Sequence, residues 1–183
     1  MIELRPFGRA DFDRLIAWAT SRELVVQWAG LGLTYPLDHA QLEAYLTVAE
    51  EDPETRVIWK AVETGTGVVV GHIELDRIHR GMRRGRLSRV LVAPGLRGEG
   101  VGKAMTLLAL RHAFGVLDLH RVDLGAFDFN KAAIRCYESC GFVREGLERE
   151  GVRDRIARKW PEHEEAVKAF MEKRDPDFSR LAQ

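Results

Sequence analysis

The sequence has little cysteine, no long hydrophobic run and no excess of charge of either sign. Cys136 and Cys140 are its two cysteines, too few for the disulfide framework of a small secreted domain. No stretch approaches the roughly 18 apolar residues of a membrane-spanning helix, and the first residues, MIELRPFGRADF, contain no apolar signal core. Lys plus Arg and Asp plus Glu both number 28, so the chain has no general attraction to nucleic acid or anionic lipid. These absences predict a cytoplasmic protein that binds neither nucleic acid nor membrane.

What the sequence does contain is an alternation of helical and extended patterns in a chain of single-domain length. With 183 residues, of which 45% are hydrophobic and 31% charged, it can bury a substantial core. We predict one domain over residues 1–160, followed by a charged helical extension over 161–183. The order of elements predicts a mixed α/β sheet packed on both faces. The periodicities predict helices over 10–20, 39–50, 101–115 and 131–140, and strands over 2–5, 56–63, 68–78, 87–93, 120–127 and 141–147.

The segment LRGEGVGK, residues 96–103, places three glycines between a strand and the start of a helix. A helix start offers unpaired N–H groups and the positive end of the dipole, and glycine lets an anion approach them without meeting a Cβ. Arg97 and Lys103 add positive charge, so the pattern favours a phosphate or pyrophosphate. The alternative is a turn that merely allows tight strand–helix packing. The P-loop pattern fails at Arg97 and Ala104, and the dinucleotide fingerprint fails at Met105.

The pattern R-x-x-G-x-G over residues 97–102, preceded by SRVLVAP, resembles the coenzyme loop of the GCN5-related N-acetyltransferase (GNAT) superfamily. A second segment, VDLGAFDFNKAAIRCYESCGFVREG at 122–146, resembles the second coenzyme motif of that family. The resemblance implies a central, mostly antiparallel mixed sheet of six or seven strands, splayed between the strands at 87–93 and 120–127. It also implies acetyl-CoA as the co-substrate. The pattern W-A-G followed by Tyr35–Pro36 resembles members that act on ribosomal-protein N-termini.

The resemblance places a coenzyme site on these two motifs. Backbone groups of Leu91 and Val92 would pair with the pantetheine arm, and Tyr137 would lie near the thioester sulfur and assist the departing thiolate. Asn130 and Ala133 would lie at the mouth of the second motif. Backbone N–H groups would hold the pyrophosphate at Arg97, Gly98, Gly100, Val101, Gly102 and Lys103.

Spacing along the predicted helix after residue 130 agrees with this assignment. Asn130, Ala133 and Tyr137 stand at i, i+3 and i+7 and therefore share one face. A plain helix N-cap at Asn130 and a core position for Tyr137 are the structural alternatives. Cys136 and Cys140 stand at i and i+4, and we interpret them as buried structural thiols rather than half of a metal site.

The base that deprotonates the attacking amine is harder to identify. The strand RLSRVLVA carries no carboxylate where some family members have a glutamate. The candidates are Glu74 and Asp76 on the preceding strand, with His72 and His79 close in sequence. His72, Glu74 and Asp76 share one face of that strand, and solvent exposure of that face is the alternative. Without a strong base, an α-amine is favoured, because about 10% of an amine of pKa about 8 is neutral at pH 7. Trp28 and Tyr35 are candidate walls of the acceptor site.

These observations predict an N-acetyltransferase that moves an acetyl group from acetyl-CoA to a primary amine by direct attack in a ternary complex. The acceptor is a protein or peptide N-terminus or a small-molecule amine, with antibiotics and polyamines left open. A non-catalytic acyl-CoA sensor is the alternative from another class. Residues 144–160 lack an alternating pattern, so the final strand is expected to be very short, replaced or supplied by another subunit. A homodimer through the C-terminal region is a further prediction.

Overall fold

The computed structural model describes residues 1–30, 32–148 and 153–157. Two single 3₁₀ turns, Arg9–Asp11 and Arg80–Met82, supplement the regular elements. In chain order, those elements are β1 (Ile2–Pro6), α1 (Phe12–Trp18), α2 (Arg22–Ala29), α3 (His39–Glu51), β2 (Val57–Glu63), β3 (Val69–His79), β4 (Arg84–Val92), α4 (Val101–Gly115), β5 (Arg121–Ala126), α5 (Lys131–Ser139), β6 (Val143–Glu148) and β7 (Arg153–Ala157).

The strands form one seven-stranded sheet in the order β1-β2-β3-β4-β5-β7-β6. Every neighbouring pair is antiparallel except β4 and β5, which are parallel. These two strands pair only from Arg84 opposite Arg121 to Arg86 opposite Asp123. Beyond that point β4 pairs with β3 alone among the described residues, so its other edge faces an opening in the sheet. The predicted mixed, mostly antiparallel and splayed sheet is confirmed.

Helices cover the sheet on both faces, and each face has its own hydrophobic cluster. On one face, α4 presents apolar residues at helical spacing, with Met105, Ala109 and Ala113 fully buried against the sheet. On the other face, α1, α2 and α3 bury a second cluster. That second cluster contains Phe7, Phe12, Leu15, Val25, Trp28, Leu42, Tyr45 and Leu91, among others. Full burial of one such leucine side chain stabilises the fold by about 1.5–3 kcal/mol.

Helix α2 and the start of strand β4 differ from the sequence prediction by more than two residues. The helix α2 was not predicted, although Ser21 caps it by accepting the N–H of Leu24 at 3.2 Å; it is only eight residues long and stands directly before a glycine- and proline-containing loop. Strand β4 begins at Arg84, three residues earlier than predicted. The residues before position 87 are basic and carry no alternating apolar pattern, but their backbone is paired to strands on both sides, which outweighs local composition.

The C-terminal part of the sheet settles one of the alternatives for the final strand. β7 is present but short, with five residues, and it pairs with both β5 and β6. The predicted helical extension over 161–183 lies outside the described residues, and the homodimer through this region stays a prediction. None of the helices in the described ranges is long and apolar enough to cross a bilayer.

Candidate active site

A cleft of about 590 Å³ opens where β4 and β5 separate. Its walls come from β4, the loop after β4, the first turn of α4, the end of β5, one face of α5 and one face of α2. The cleft brings together most of the residues that the sequence indicated. These are Trp28, Leu91, Val92, Arg97, Gly98, Gly100, Gly102, Lys103, Asn130, Ala133 and Tyr137.

One end of the cleft is the glycine loop, whose backbone is built to receive an anion. Gly98 and Gly100 have φ values of +91° and +79°, in the left-handed region that glycine adopts without strain. Gly100 is the N-cap of α4 and has no side chain to cap the N–H groups of the first turn. Those groups have no intrahelical acceptor, while Arg97 and Lys103 line the same end. The arrangement fits a diphosphate.

The wall formed by α5 presents the residues of the second motif. The Asn130 side chain accepts the N–H of Ala133 at 3.1 Å, so it is a helix N-cap and also lines the cleft. Tyr137 is half-buried, and its ring meets Phe142 edge to face at 6.0 Å. Burial raises the pKa of Tyr137, with a smaller contribution from Cys136. The hydroxyl therefore stays protonated at neutral pH and can donate a hydrogen bond into the cleft.

The two cysteines lie on the same helix. Cys140 is buried, whereas Cys136 is half-buried and lines the cleft. A hydrogen bond with Cys140, burial and the Cys140 charge all raise the pKa of the Cys136 thiol, which is therefore protonated at neutral pH.

Strand β4 carries a bulge in the part that lines the cleft. His72 pairs with Leu91 and Glu74 with Ser88, so three steps along β4 oppose two along β3. Arg89 lies within the bulge and has a φ of +47°. Its guanidinium donates from Nη1 to Glu74 Oε2 at 2.5 Å.

The predicted polar face of β3 is buried rather than exposed to solvent. His72, Glu74 and Asp76 do share a face, but their exposed fractions are 1%, 0% and 7%. The Tyr45 hydroxyl donates to Glu74 Oε2 at 2.9 Å and lies 3.2 Å from His72 Nε2. The solvent-exposure alternative is therefore wrong, because α1–α3 cover this face.

The Glu74 carboxylate lies behind Arg89 and is not part of the cleft lining. Burial raises the pKa of Glu74, while the guanidinium of Arg89 opposes that effect. Arg56 is a second cationic neighbour, with Nε 3.0 Å from Oε1. Because the Glu74 carboxylate contacts Arg56, Arg89 and Tyr45, it holds these three side chains in position. Its predicted role as the general base stays a prediction.

The remaining predicted residues divide between the cleft and its surroundings. Trp28 is 8% exposed and lines the cleft, and its indole N–H has no partner among the described residues. Tyr35 is 40% exposed and lies outside the lining. Val101 is buried in the core, and only its backbone N–H can serve an anion.

Leu24, Gln27 and Arg89 are among the lining residues that sequence reasoning did not assign to the site. Leu24 and Gln27 belong to the unpredicted helix α2. Arg89 was visible as an arginine in a strand otherwise rich in apolar residues, but the bulge that positions it leaves no local sequence signal. Because the bulge interrupts the alternation of side chains between the two faces of the sheet, the sequence did not indicate the face on which the Arg89 side chain lies.

The chain matches the family model described as "Acetyltransferase (GNAT) domain" over residues 2–143. It is 30% identical to the spermidine N(1)-acetyltransferase of Vibrio cholerae over 145 residues, which cover 79% of this chain and 80% of the relative. It is 28% identical to a probable N-acetyltransferase of Bacillus subtilis over 96 residues, about half of each chain (52% of both).

Solved structures give the same fold. The spermidine N-acetyltransferase of V. cholerae, in complex with CoA and spermine, superimposes with a TM-score of 0.75 at 22% identity, covering 87% of this chain and 96% of that one. A structure described as dodecameric, of the same V. cholerae enzyme, gives a TM-score of 0.67 at 23% identity, covering 85% of this chain and 91% of that one.

These relatives correct the expectation of a special likeness to ribosomal-protein N-terminal acetyltransferases, because the matching enzymes are named for spermidine. They confirm the superfamily, the fold and the co-substrate. The chain belongs to the GNAT acetyltransferase family and is an acetyl-CoA-dependent N-acetyltransferase.

Proposed function

We propose that the protein transfers the acetyl group of acetyl-CoA to a primary amine of a polyamine such as spermidine, by direct attack within a ternary complex. One observation carries the reaction type. A single cleft joins an anion-binding loop, an unpaired strand edge and the protonated hydroxyl of Tyr137. The acceptor class is supported by the relative that is 30% identical over most of both chains.

The geometry supports a division of labour along the cleft. The N–H groups around Gly98, Gly100 and Gly102 would hold the diphosphate, and the free edge of β4 at Leu91 and Val92 would pair with the extended pantetheine arm. The acetyl group would then lie between the bulge in β4 and the α5 wall. Acetyl-CoA supplies an activated thioester carbonyl, and the cleft positions the amine against it.

Tyr137 would act at the leaving group. When the carbon–sulfur bond breaks, the developing thiolate needs a hydrogen-bond donor or a proton, and a tyrosine hydroxyl can provide either. Because burial raises the pKa of Tyr137, the hydroxyl keeps its proton over the working pH range. Its contribution is then a hydrogen bond that strengthens as negative charge develops on sulfur.

A peptide α-amine is the second acceptor candidate. The described lining contains arginines and a lysine but no carboxylate, so it offers no ion pair to an ammonium group. An α-amine of pKa about 8 enters such a site in its neutral form more readily than an alkylamine of pKa about 10.4.

The experiment is a measurement of CoA thiol release from acetyl-CoA with spermidine, spermine, peptides with free N-termini and lysine-containing peptides with blocked N-termini. The proposal expects the highest kcat/KM with a polyamine. If the peptides with free N-termini give the highest kcat/KM, the acceptor is a peptide α-amine and not a polyamine. Tight CoA binding with no amine-dependent release across the panel would instead favour the non-catalytic sensor.

A further inference from the structure

Arg89 lines the cleft on β4, farther from the glycine loop along the strand than Leu91 and Val92. It lies three residues before Val92 on β4, roughly 10 Å along the strand, and it lines the cleft together with Leu24, Gln27 and Trp28 of α2. If the pantetheine arm follows the free edge of β4, Arg89 lies where the thioester meets the incoming amine. The inference that follows therefore rests on the proposed function.

The guanidinium is held in place from several sides. Nη1 donates to Glu74 on β3, and the charged carbon lies 4.9 Å from the centre of the Tyr45 ring on α3. From the loop before α3, Gly32 approaches so closely that a Cβ there would lie 2.6 Å from Nη2. Glu74 is the only hydrogen-bond partner of this guanidinium among the described residues. The guanidinium of a cleft-lining residue is therefore fixed in position, and its Nε is buried without a hydrogen-bond partner among the described residues.

The charges around Arg89 leave its positive charge nearest to the cleft. Two buried carboxylates of β3 lie behind it, Glu74 and Asp76, and Arg56 before β2 contacts Glu74 from the other side. His72 on β3 and Tyr45 on α3 are neutral, since burial lowers the pKa of the histidine and raises that of the tyrosine. Burial lowers the pKa of Arg89 itself, but the Glu74 carboxylate more than compensates. Arg89 is therefore charged at every working pH.

The reaction needs a neutral amine, and the described lining contains no group that can take its proton at neutral pH. The titratable side chains of that lining are Arg89, Arg97, Lys103, Arg135, Cys136 and Tyr137. None of the six is a carboxylate or an imidazole, the side chains that usually act as bases near neutral pH. A cation beside an amine is a known way to favour the neutral form of that amine.

We propose that Arg89 activates the acceptor, because its fixed positive charge favours the uncharged form of the amine that binds beside it and so takes the place of a general base. The amine gives its proton to solvent on binding. Its lone pair then forms the nitrogen–carbon bond as the carbon–sulfur bond breaks. The second proton on nitrogen passes to the departing thiolate, so that the products are the acetamide and the free thiol of CoA. Glu74 acts as a positioning residue for the guanidinium.

The test uses the pH dependence of kcat with saturating acetyl-CoA and the best amine of the panel, since kcat reports the pKa of groups in the bound complex. In the Arg89→Met/Glu74→Gln double variant, which removes both charges together, the acidic limb should move up by about one pH unit. Arg89→Lys keeps the charge and should keep the limb near its wild-type position. Glu74→Gln alone leaves the guanidinium unneutralised, so its limb should move to lower pH.

A second readout does not depend on turnover. Titration of the amine into the complex with CoA, by calorimetry in buffers of different ionisation enthalpy, measures the protons released on binding. Wild type should release close to one proton per reacting amine at pH 7.5, and the double variant clearly less. Equal release in both proteins, or an unchanged acidic limb in an active double variant, would overturn the inference. Loss of activity in Glu74→Gln at every pH, with normal folding, would overturn it in favour of Glu74 as the base.

The two proposals fail in different ways. If the proposed function is wrong, wild type shows no amine-dependent thiol release at any pH. If only the role of Arg89 is wrong, wild type is active and the proton release of the double variant matches that of wild type. Circular dichroism and thermal melting of each variant separate a folding defect from both outcomes.

Discussion

Arg86 and Asp123 are the last residues at which β4 and β5 pair, and their side chains form an ion pair with Nη1 2.7 Å from Oδ1. Both are largely shielded from solvent, with side-chain exposures of 17% and 26%. The ion pair therefore closes the paired part of the two strands directly below the cleft. It joins the two halves of the sheet at the point beyond which β4 and β5 no longer pair.

Replacing Asp123 by Ala should destabilise the fold, because it leaves the Arg86 guanidinium shielded and unpaired. We expect a loss of about 1–3 kcal/mol in the free energy of unfolding, measured by urea denaturation. Glu54→Ala is the control. It removes an ion pair to Arg80 with an N–O distance of 3.1 Å and side-chain exposures of 51% and 71%, so its loss should stay below about 1 kcal/mol. Equal losses in the two variants would contradict the importance of the strand junction.

Replacing Gly100 by Ala should weaken CoA binding by about tenfold or more, equivalent to at least about 1.4 kcal/mol. The φ of +79° disfavours a side chain, and a methyl group would stand where the diphosphate approaches. Gly95→Ala is the control, since Gly95 has a φ of +85° and open space where a methyl group would be added, but lies outside the cleft lining. Both variants should lose similar stability. Isothermal titration with CoA should separate them, and equal CoA affinities would argue against an anion site in this loop.

Replacing Tyr137 by Phe should lower kcat by about a hundredfold, in the range of general acid catalysis, with CoA affinity unchanged. The hydroxyl is protonated and lines the cleft, whereas the ring that packs on Phe142 is preserved in the variant. Tyr35→Phe is the control, because Tyr35 lies outside the lining. Steady-state thiol release measures turnover. A Tyr137→Phe enzyme with wild-type kcat would assign the tyrosine to the core instead.

His72 should make the fold sensitive to mild acid. Burial, with a smaller contribution from Arg89, lowers the pKa of His72 to about 3, whereas the unfolded chain has the usual value of about 6.5. Below pH 6.5 the unfolded state binds a proton that the folded state does not, so stability falls as the pH is lowered toward 3. From pH 7 to pH 5 the expected loss is about 2 kcal/mol.

The variant His72→Gln isolates this effect. Glutamine cannot titrate, yet its amide can still donate to the Tyr45 oxygen. Between pH 7 and pH 5, the free energy of unfolding of the variant should therefore fall by about 2 kcal/mol less than that of wild type. Parallel urea titrations at the two pH values measure the difference. Identical pH dependence in wild type and variant would show that His72 is not the responsible group.

The sequence predicted the parts of the site that depend on local chemistry. The glycine loop, the N-cap at Asn130 and the face shared by Asn130 and Tyr137 all follow from spacing along one element, and the structure places them around one cleft. The splay of β4 from β5 came with the family resemblance, because nothing in either strand alone indicates where their pairing ends.

What could not be predicted depends on contacts between distant elements. Alternation correctly grouped His72 with Glu74, but it could not reveal that three helices would bury that face. The position of Arg89 depends on one extra residue in β4 relative to β3, and such a bulge is decided by pairing between strands. Helix α2 is short and gains its stability from packing, with Val25 and Trp28 buried against the sheet.

The place of β7 between β5 and β6 has a consequence for biosynthesis. Because β7 is the last of these three strands in the chain, the edge of β5 that β7 will cover has no partner while β7 is still being synthesised. That edge belongs to a strand with the apolar residues Val122 and Leu124, and uncovered edges of this kind recruit other chains. Until residue 157 has been synthesised, β5 therefore lacks the neighbour that covers this edge in the folded sheet.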